Sequence, residues 1–273
     1  MRIDPHSHST ASDGTESPAE VMRAAARVGL DVIGLSDHDT TQGWGEATAE
    51  AAALGLGFIP GVEVSCRHDG KSIHLLALWP SGEDPEFLAM LERTRDSRVE
   101  RARQIVDLLA QDYELDWDAV ISKAPNAETI GRPHIADALV DIGVIADRDA
   151  AFIALLGTDS PYYLPHYAPE IADAIAIVRG AGGVPVLAHP GADDRTVTSD
   201  DLIVELASQG LVGLEIDHRE HSEAQKARLA ALASRLSLIR TGASDYHGAG
   251  KQNRLGENLT SPEAYEALQE ARG

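Results

Sequence analysis

Apolar positions in this chain fall into two alternating rhythms. Short continuous apolar runs, such as Val32-Ile33-Gly34-Leu35 and Val184-Pro185-Val186-Leu187-Ala188, read as buried strands. Between them, apolar residues recur at helical spacing. Val21, Ala24, Ala25 and Val28 mark a first helix, with Ser17 as N-cap, Pro18 at its first position, Glu20 completing a capping box and Gly29 as its stop. Strands are expected over Arg2–His6, Val32–Ser36, Phe58–Ser65, His74–Leu78, Val184–Ala188, Val212–Ile216 and Leu238–Arg240. Helices are expected over Trp44–Leu54, Ile171–Val178, Asp200–Ser208, Ser222–Ser234 and Pro262–Ala271. Asp69-Gly70 is a hairpin turn signal, so the third and fourth strands pair back to back. Gly182-Gly183 reads as a turn and not a phosphate cradle, because the Lys and Ser/Thr of a P-loop are missing.

The strand–helix rhythm breaks between about Pro85 and Tyr163, where periodic charged stretches begin at Leu88–Leu109. Gly131-Arg132-Pro133-His134 opens a helix within it. Residues 83–163 are therefore expected to form an inserted helical subdomain, with 1–82 and 164–273 forming one α/β domain. The charged helix from Glu92 to Arg103 reads as a solvated face, not a nucleic-acid surface. Alternating strands and helices imply a parallel sheet, open or closed.

The polar residues at the ends of the apolar runs change the picture from architecture to chemistry. His6 and His8, at i and i+2, share one face of a strand. Asp13, His38, Glu63, His74, His189, Asp245 and His247 each lie at or just beyond the end of an apolar run. In closed βα barrels, function sits at the C-terminal strand ends. Six histidines and three carboxylates exceed the needs of one ion. At three or four protein ligands each they suit two or three divalent ions, Mn, Fe or Zn, with positions left for water and substrate. Three divalent ions against three carboxylates leave a positive excess, for which a phosphate dianion is the natural partner.

Charge and composition bound the rest. The net charge of −21 argues against a protein that tracks long nucleic acid with a basic surface. Bound metal ions can still make a local anion site. No apolar stretch approaches the roughly 20 residues of a membrane span, so no membrane association is expected. The N-terminus enters a polar, His-rich strand, which predicts no signal peptide, and Cys66 is the only cysteine. A cytoplasmic location follows from both.

Together, Asp4-Pro5-His6-Ser7-His8-Ser9, Ser36-Asp37-His38-Asp39, Gly61-Val62-Glu63, His74, Ala188-His189-Pro190-Gly191 and Gly242-Ala243-Ser244-Asp245-Tyr246-His247-Gly248 resemble the polymerase and histidinol phosphatase (PHP) family of metal-dependent phosphoesterases. The elements span the chain, apart from the insertion, in the family's order. The resemblance implies a distorted (β/α)7 barrel with an inserted helical cap. It implies that His6, His8, Glu63 and Asp245 hold one ion, that Glu63 bridges to a second ion on His74 and His189, and that Asp13, His38 and His247 hold a third. Asp13 stands where many members have histidine, which predicts a weaker or differently selective third site. Pro5 replaces a more usual leucine, with no consequence expected.

The insertion resembles the cap of small bacterial PHP enzymes that remove the 3′-phosphate from nucleoside 3′,5′-bisphosphates; close relatives trim short RNA from the 5′ end. Arg132 is the candidate for gripping a second phosphate, with His134 and His221 as further substrate-binding candidates. The nucleophile is expected to be a metal-bound hydroxide, with no protein nucleophile assigned. The substrate is expected to be a small phosphorylated compound of the nucleotide class, with short RNA as the alternative. A non-catalytic metal-binding PHP partner module and a histidinol phosphate phosphatase are the other readings weighed. Asp37 and Asp39 read as orienters of ligand histidines, or Asp39 as a helix N-cap; lone His68, His166 and His218 read as surface or core residues.

Overall fold

The computed structural model describes residues 1–124, 129–191 and 198–272. Its seven strands pair in chain order as one sheet. They are β1 (Ile3–Asp4), β2 (Val32–Leu35), β3 (Gly57–His68), β4 (Lys71–Leu78), β5 (Val184–Leu187), β6 (Gly213–Asp217) and β7 (Ile239–Gly242). The segments that follow β1 and β7 close the ring: Asp245 N–H donates to the His6 carbonyl and His8 N–H to the Tyr246 carbonyl. Asp4 staples the same seam, accepting from the Ser244 and Gly256 amides. The result is a nearly closed seven-stranded barrel.

Each helix forms where the sequence supplies a start. Helix α1 (Pro18–Arg27) has the Ser17–Glu20 capping box, and α2 (Trp44–Leu54) follows β2. After the insertion come α7 (Ile171–Gly180), α8 (Asp200–Ser208), α9 (Glu223–Leu236) and α10 (Pro262–Glu270). The last three are N-capped by Ser199, Ser222 and Ser261. These helices bury their apolar faces on the outer surface of the sheet, as in the cluster of Val64, Leu75, Ile175, Val178, Ile203 and Leu229.

Two strands depart from expectation, for one reason. Strands β3 and β4 form an antiparallel hairpin, and β4 also runs antiparallel to β5. Their pairing continues beyond the barrel rim to His68 and Lys71, so β3 outruns the expected Ser65 and β4 starts before His74. His74 therefore lies in the first half of its strand, opposite Ser65. A reversed strand presents its beginning where its neighbours present their ends, and this brings His74 to the ligand face.

Between β4 and α7 the chain leaves the barrel. Helix α3 (Pro85–Leu109) starts with Asp84 as N-cap and continues into α4 (Trp117–Ser122), α5 (Arg132–Asp141), α6 (Arg148–Ala151) and a π-helical turn at Phe152–Leu156. The first turns of α3 bury Phe87 and Leu91 in the barrel's outer layer. Its later turns bury Ala102, Ile105, Val106 and Leu109 in a separate cluster with Val120, Ile135 and Leu139. One rigid helix is thus rooted in both cores.

The inner wall behind the ligands is tight at Gly34 in β2, where an added Cβ would lie 2.1 Å from the Pro5 carbonyl oxygen. Pro5 leads directly into His6, and the obstacle is backbone rather than a flexible side chain. Gly34→Ala should lower stability by about 1–3 kcal/mol, read as a lower urea midpoint at unchanged slope. A variant as stable as the parent would contradict this packing.

Candidate metal centre

The ligand face is organised around the Glu63 carboxylate, which is 1% exposed. Its Oε2 lies 3.1 Å from His6 Nε2 and 3.0 Å from His8 Nε2. Its Oε1 lies 2.8 Å from both His74 Nδ1 and His189 Nε2. Asp245 Oδ1 faces the first pair at 3.5 Å from His6 and 3.3 Å from His8. On the far side of His8, Asp13 Oδ1 is 3.3 Å from His247 Nε2, and its Oδ2 is 3.9 Å from His38 Nε2. The ligand atoms fall into three overlapping groups: His6, His8, Glu63 and Asp245; His38, Glu63 and His74; and His8, Asp13, His38 and His247.

These spacings fit metal coordination. Donors about 2.1 Å from one ion stand roughly 3–3.5 Å apart, close to the 2.8–3.9 Å separations found here. The His6 and His8 Nε2 atoms face each other at 3.0 Å, a contact two neutral acceptors would avoid but a shared ion would create. His38 Nδ1, His74 Nδ1, His247 Nε2 and Asp245 Oδ1 are buried without a hydrogen-bond partner. Leaving such groups unsatisfied is costly, and ions placed among them would satisfy all four. His247 Nδ1 is engaged with the Asp245 carbonyl at 2.8 Å, which fixes the tautomer and leaves Nε2 free to ligate.

Electrostatics prepare the same atoms. Burial, with His8 and Lys251 nearby, pushes His247 down to about 4, so the ring is neutral, its ligating form. Burial opposes the charged form of Glu63, but His38, His74 and His6 outweigh it and hold the carboxyl well below its usual range. Asp13 behaves likewise, with His247 and His38 overcoming its burial. His189 and Asp245 sit at positive φ, 28° and 52°, a conformation that costs non-glycine residues energy and is concentrated at functional sites.

Three residues in the site were not anticipated, Glu215 and His218 buried and His166 half-buried. Glu215 of β6 accepts from His6 Nδ1 at 2.9 Å and from the His189 amide at 2.8 Å, orienting two candidate ligands at once. Its signal was available: an acid inside the apolar run Val212–Ile216. His218, expected at the surface or in a core, is fully buried with Nε2 3.6 Å from Asp245 Oδ2. It follows β6 directly, the same strand-end position that marks the other histidines. His166 also lines the site, with Nδ1 3.0 Å from Arg101 Nη1.

Other expectations are corrected. Asp37 and Asp39 do not contact ligand histidines. Asp37 accepts from Ser9 and Ser12, bracing the loop before Asp13. Asp39 accepts from the Ser65 amide and hydroxyl and from Arg98, and the N-cap of α2 is Gly43. His134 and His221 present no free ring nitrogen. His134 Nδ1 accepts from the Gly131 amide and Nε2 donates to the Ser12 carbonyl. His221 Nε2 accepts from the Gly191 amide and Nδ1 donates to the Ile216 carbonyl. Both rings have spent their two nitrogens on backbone. The charged helix is not uniformly solvated: Arg95 and Arg98 reach Asp39, and Arg101 is 5% exposed.

Arg132 does border the site. It lies over the Phe152 and Tyr163 rings and donates to the Leu156 carbonyl. With Arg98, Arg101, Arg148, His166 and Lys251 it lines a cavity of ≈ 320 Å³ whose opposite wall is Asp13, His38, His74 and His247. An adjoining cleft of ≈ 560 Å³ shares His74, Arg132, Phe152 and Tyr163 and adds Ile73, Ile153 and His189.

A histidine–carboxylate cluster on the ligand face of a βα barrel, roofed by cationic side chains, defines a metal-dependent hydrolase acting on anions. The PHP domain pattern matches residues 4–134. The chain is 36% identical over 255 residues to the 3′,5′-nucleoside bisphosphate phosphatase of Chromobacterium violaceum, covering 92% of this chain and 89% of that one. It is 33% identical to a 5′-3′ exoribonuclease of Haemophilus influenzae, covering 94% of each. A solved Bifidobacterium adolescentis structure, inferred to be a metal-dependent phosphoesterase, superposes with a TM-score of 0.95 at 38% identity, covering 99% of this chain and 96% of that one. The chain belongs to the PHP family and is a metal-dependent phosphoesterase.

Glu63→Gln keeps the shape of the central carboxylate but removes its charge. It should lower bound metal by at least one equivalent in elemental analysis and abolish phosphoester hydrolysis. Full metal content with full activity would rule out a bridging role for Glu63.

Proposed function

We propose that the enzyme is a phosphatase that removes the 3′-phosphate from nucleoside 3′,5′-bisphosphates, giving a 5′-nucleotide and phosphate. The observation that carries this reading is the cationic cavity facing the ligand cluster. Arg98 Nε, Arg101 Nε and His166 Nε2 are buried there without hydrogen-bond partners. Burial and the neighbouring Arg101 and Arg98 push His166 down to about 2, so its ring is neutral and accepts from Arg101. A second phosphate, opposite the one at the metal centre, would give these nitrogens the acceptor they lack. The similarity to the Chromobacterium phosphatase supports the same substrate class.

On this reading, His6, His8, Glu63 and Asp245 would hold one ion, Glu63, His74 and His189 a second, and Asp13, His38 and His247 a third. Mn, Fe and Zn all suit these donors. When bound, the ions supply an activated water as nucleophile and neutralise charge on the reacting phosphate. The chain's own residues hold, orient and desolvate. Glu215 fixes the His6 and His189 side of the cluster, while Arg132, backed by Phe152 and Tyr163, holds the distal phosphate. The helical insertion, residues 83–163, acts as the cap that excludes water. Cys66 is no nucleophile: it is buried and burial pushes its thiol well above the usual range. Among the described residues no helix is long and apolar enough to cross a membrane. With the single cysteine free, we place the enzyme in the cytoplasm.

A second reading, 5′-end exonuclease action on short RNA, draws on the adjoining ≈ 560 Å³ cleft beside the metal centre and on the Haemophilus relative. A panel of bisphosphates and oligonucleotides separates the two: kcat/KM rising with chain length would select the exonuclease.

Arg132→Ala should raise KM for a nucleoside 3′,5′-bisphosphate by about 10- to 100-fold, the loss of a charge-assisted contact, while leaving hydrolysis of an aryl phosphate within about twofold. Equal losses on both substrates would overturn the two-phosphate reading.

A further inference from the structure

Several of the polar contacts by which the insertion grips the barrel converge on one of the three ligand groups. His134, near the start of α5, accepts from the Gly131 amide through Nδ1 at 3.1 Å. Its proton is therefore on Nε2, which donates to the Ser12 carbonyl at 2.9 Å. Arg148, the first residue of α6, forks onto Asp137 with two bonds of 2.6 Å and donates from Nη1 to the Asp13 carbonyl at 3.0 Å. Two successive carbonyls, the second belonging to a candidate ligand, are thus held from the insertion. Arg148 also packs on the loop after His247: a Cβ added at Gly250 would lie 2.3 Å from its Nη1. From α3, Arg95 donates to the Asp39 carbonyl and Arg98 to its carboxylate, beside His38. The ligands around Glu63 are fixed differently, by barrel groups: Glu215 on His6 and His189, and Lys251 on Asp245.

We propose that His134 and Arg148 are positioning residues through which the docked insertion holds Asp13 at the Asp13–His38–His247 site, so that an ion there depends on the insertion while those around Glu63 do not. The proposal rests on that group being a metal site. A carboxylate ligand is only as well placed as the backbone that carries it. The Asp13 carboxylate approaches His247 at 3.3 Å and His38 at 3.9 Å. Its loop is braced from the barrel at Ser9 and Ser12 by Asp37, and from the cap at Ser12 and Asp13. Removing the cap donors frees the ligand end of the loop while leaving its start anchored. Partners of this kind change metal affinity by about 10- to 100-fold when lost.

The test is a Mn(II) titration of the full chain, with bound equivalents counted by elemental analysis and the melting transition recorded alongside. Arg148→Met should weaken one equivalent by about 10- to 100-fold and leave the others at parental affinity. Arg148→Lys, which keeps a donor for the Asp13 carbonyl, should recover part of the loss. In an Asp13→Ala background, Arg148→Met should cause no further loss, as expected for two residues serving one site. If Arg148→Met fails to melt cooperatively, His134→Asn, too short to reach Ser12, carries the same expectation on the neighbouring carbonyl. Parental affinity for every equivalent in the folded variants, or equal further loss in the Asp13→Ala background, overturns the clamp. Parental metal content in Asp13→Ala itself overturns the proposal at an earlier step, by removing the site, and leaves the reading of the Glu63 ions standing.

Discussion

A single buried carboxylate sets the geometry of this protein. Glu63 presents one oxygen to His6 and His8 and the other to His74 and His189. Those four histidines come from the segment after β1, from β4 and from the turn after β5. A carboxylate at the barrel's centre would be ruinous unpaired, so the arrangement is stable only if the strands deliver partners to both oxygens. That requirement explains the irregularity of the barrel. A regular parallel fourth strand would put His74 on the opposite rim. Reversing β4 brings its beginning to the ligand face, and the β3–β4 hairpin, overrunning the rim to His68 and Lys71, carries the reversal.

The second constraint is charge. The chain carries a net charge of −21 and acts on anions. It resolves the conflict locally. The insertion brings Arg98, Arg101, Arg132 and Arg148 to one cavity wall, where metal ions on the facing wall would complete a positive enclosure. The acidic surface elsewhere leaves long polyanions unattractive, while a small substrate that enters the enclosure meets the opposite field. On the proposed function, selectivity for size would follow from where the cations are placed, not from how many there are.

Much of this was legible in the sequence. The strand-end rule found nine residues, and the structure brings all nine to one face within overlapping groups, with His189 joined through Glu63. It failed where a residue's partner lay on a distant element. Glu215 stood out as an acid inside an apolar run, but only the fold reveals that its neighbours are His6 and the His189 amide. His218 was passed over as a lone histidine although it directly follows β6. His134 and His221 illustrate the opposite error. Both stand near helix starts, and there backbone amides and carbonyls compete for the ring. Arg95, Arg98 and Arg101 recur every third residue, a stripe along α3, but a charged stripe looks the same whether it faces water or a site.

The two cores and the metal centre are not energetically separable. Without ions, the centre is a nest of desolvated histidines and carboxylates with several ligand atoms lacking hydrogen bonds. With ions, the same atoms become a cross-link among β1, β3, β4, β5 and β7, so metal affinity appears as folding stability. The insertion joins this account through α3, whose first turns lie in the barrel's outer layer and whose later turns lie in the second core. A helix rooted in both fixes the distance from the arginines to the ligands, as a flexible linker would not. The substrate cavity is then a gap between two packed bodies joined by a rigid strut. Any ligand that bridges arginine wall and metal wall stabilises both at once, and by reciprocity tighter metal binding must strengthen its own hold.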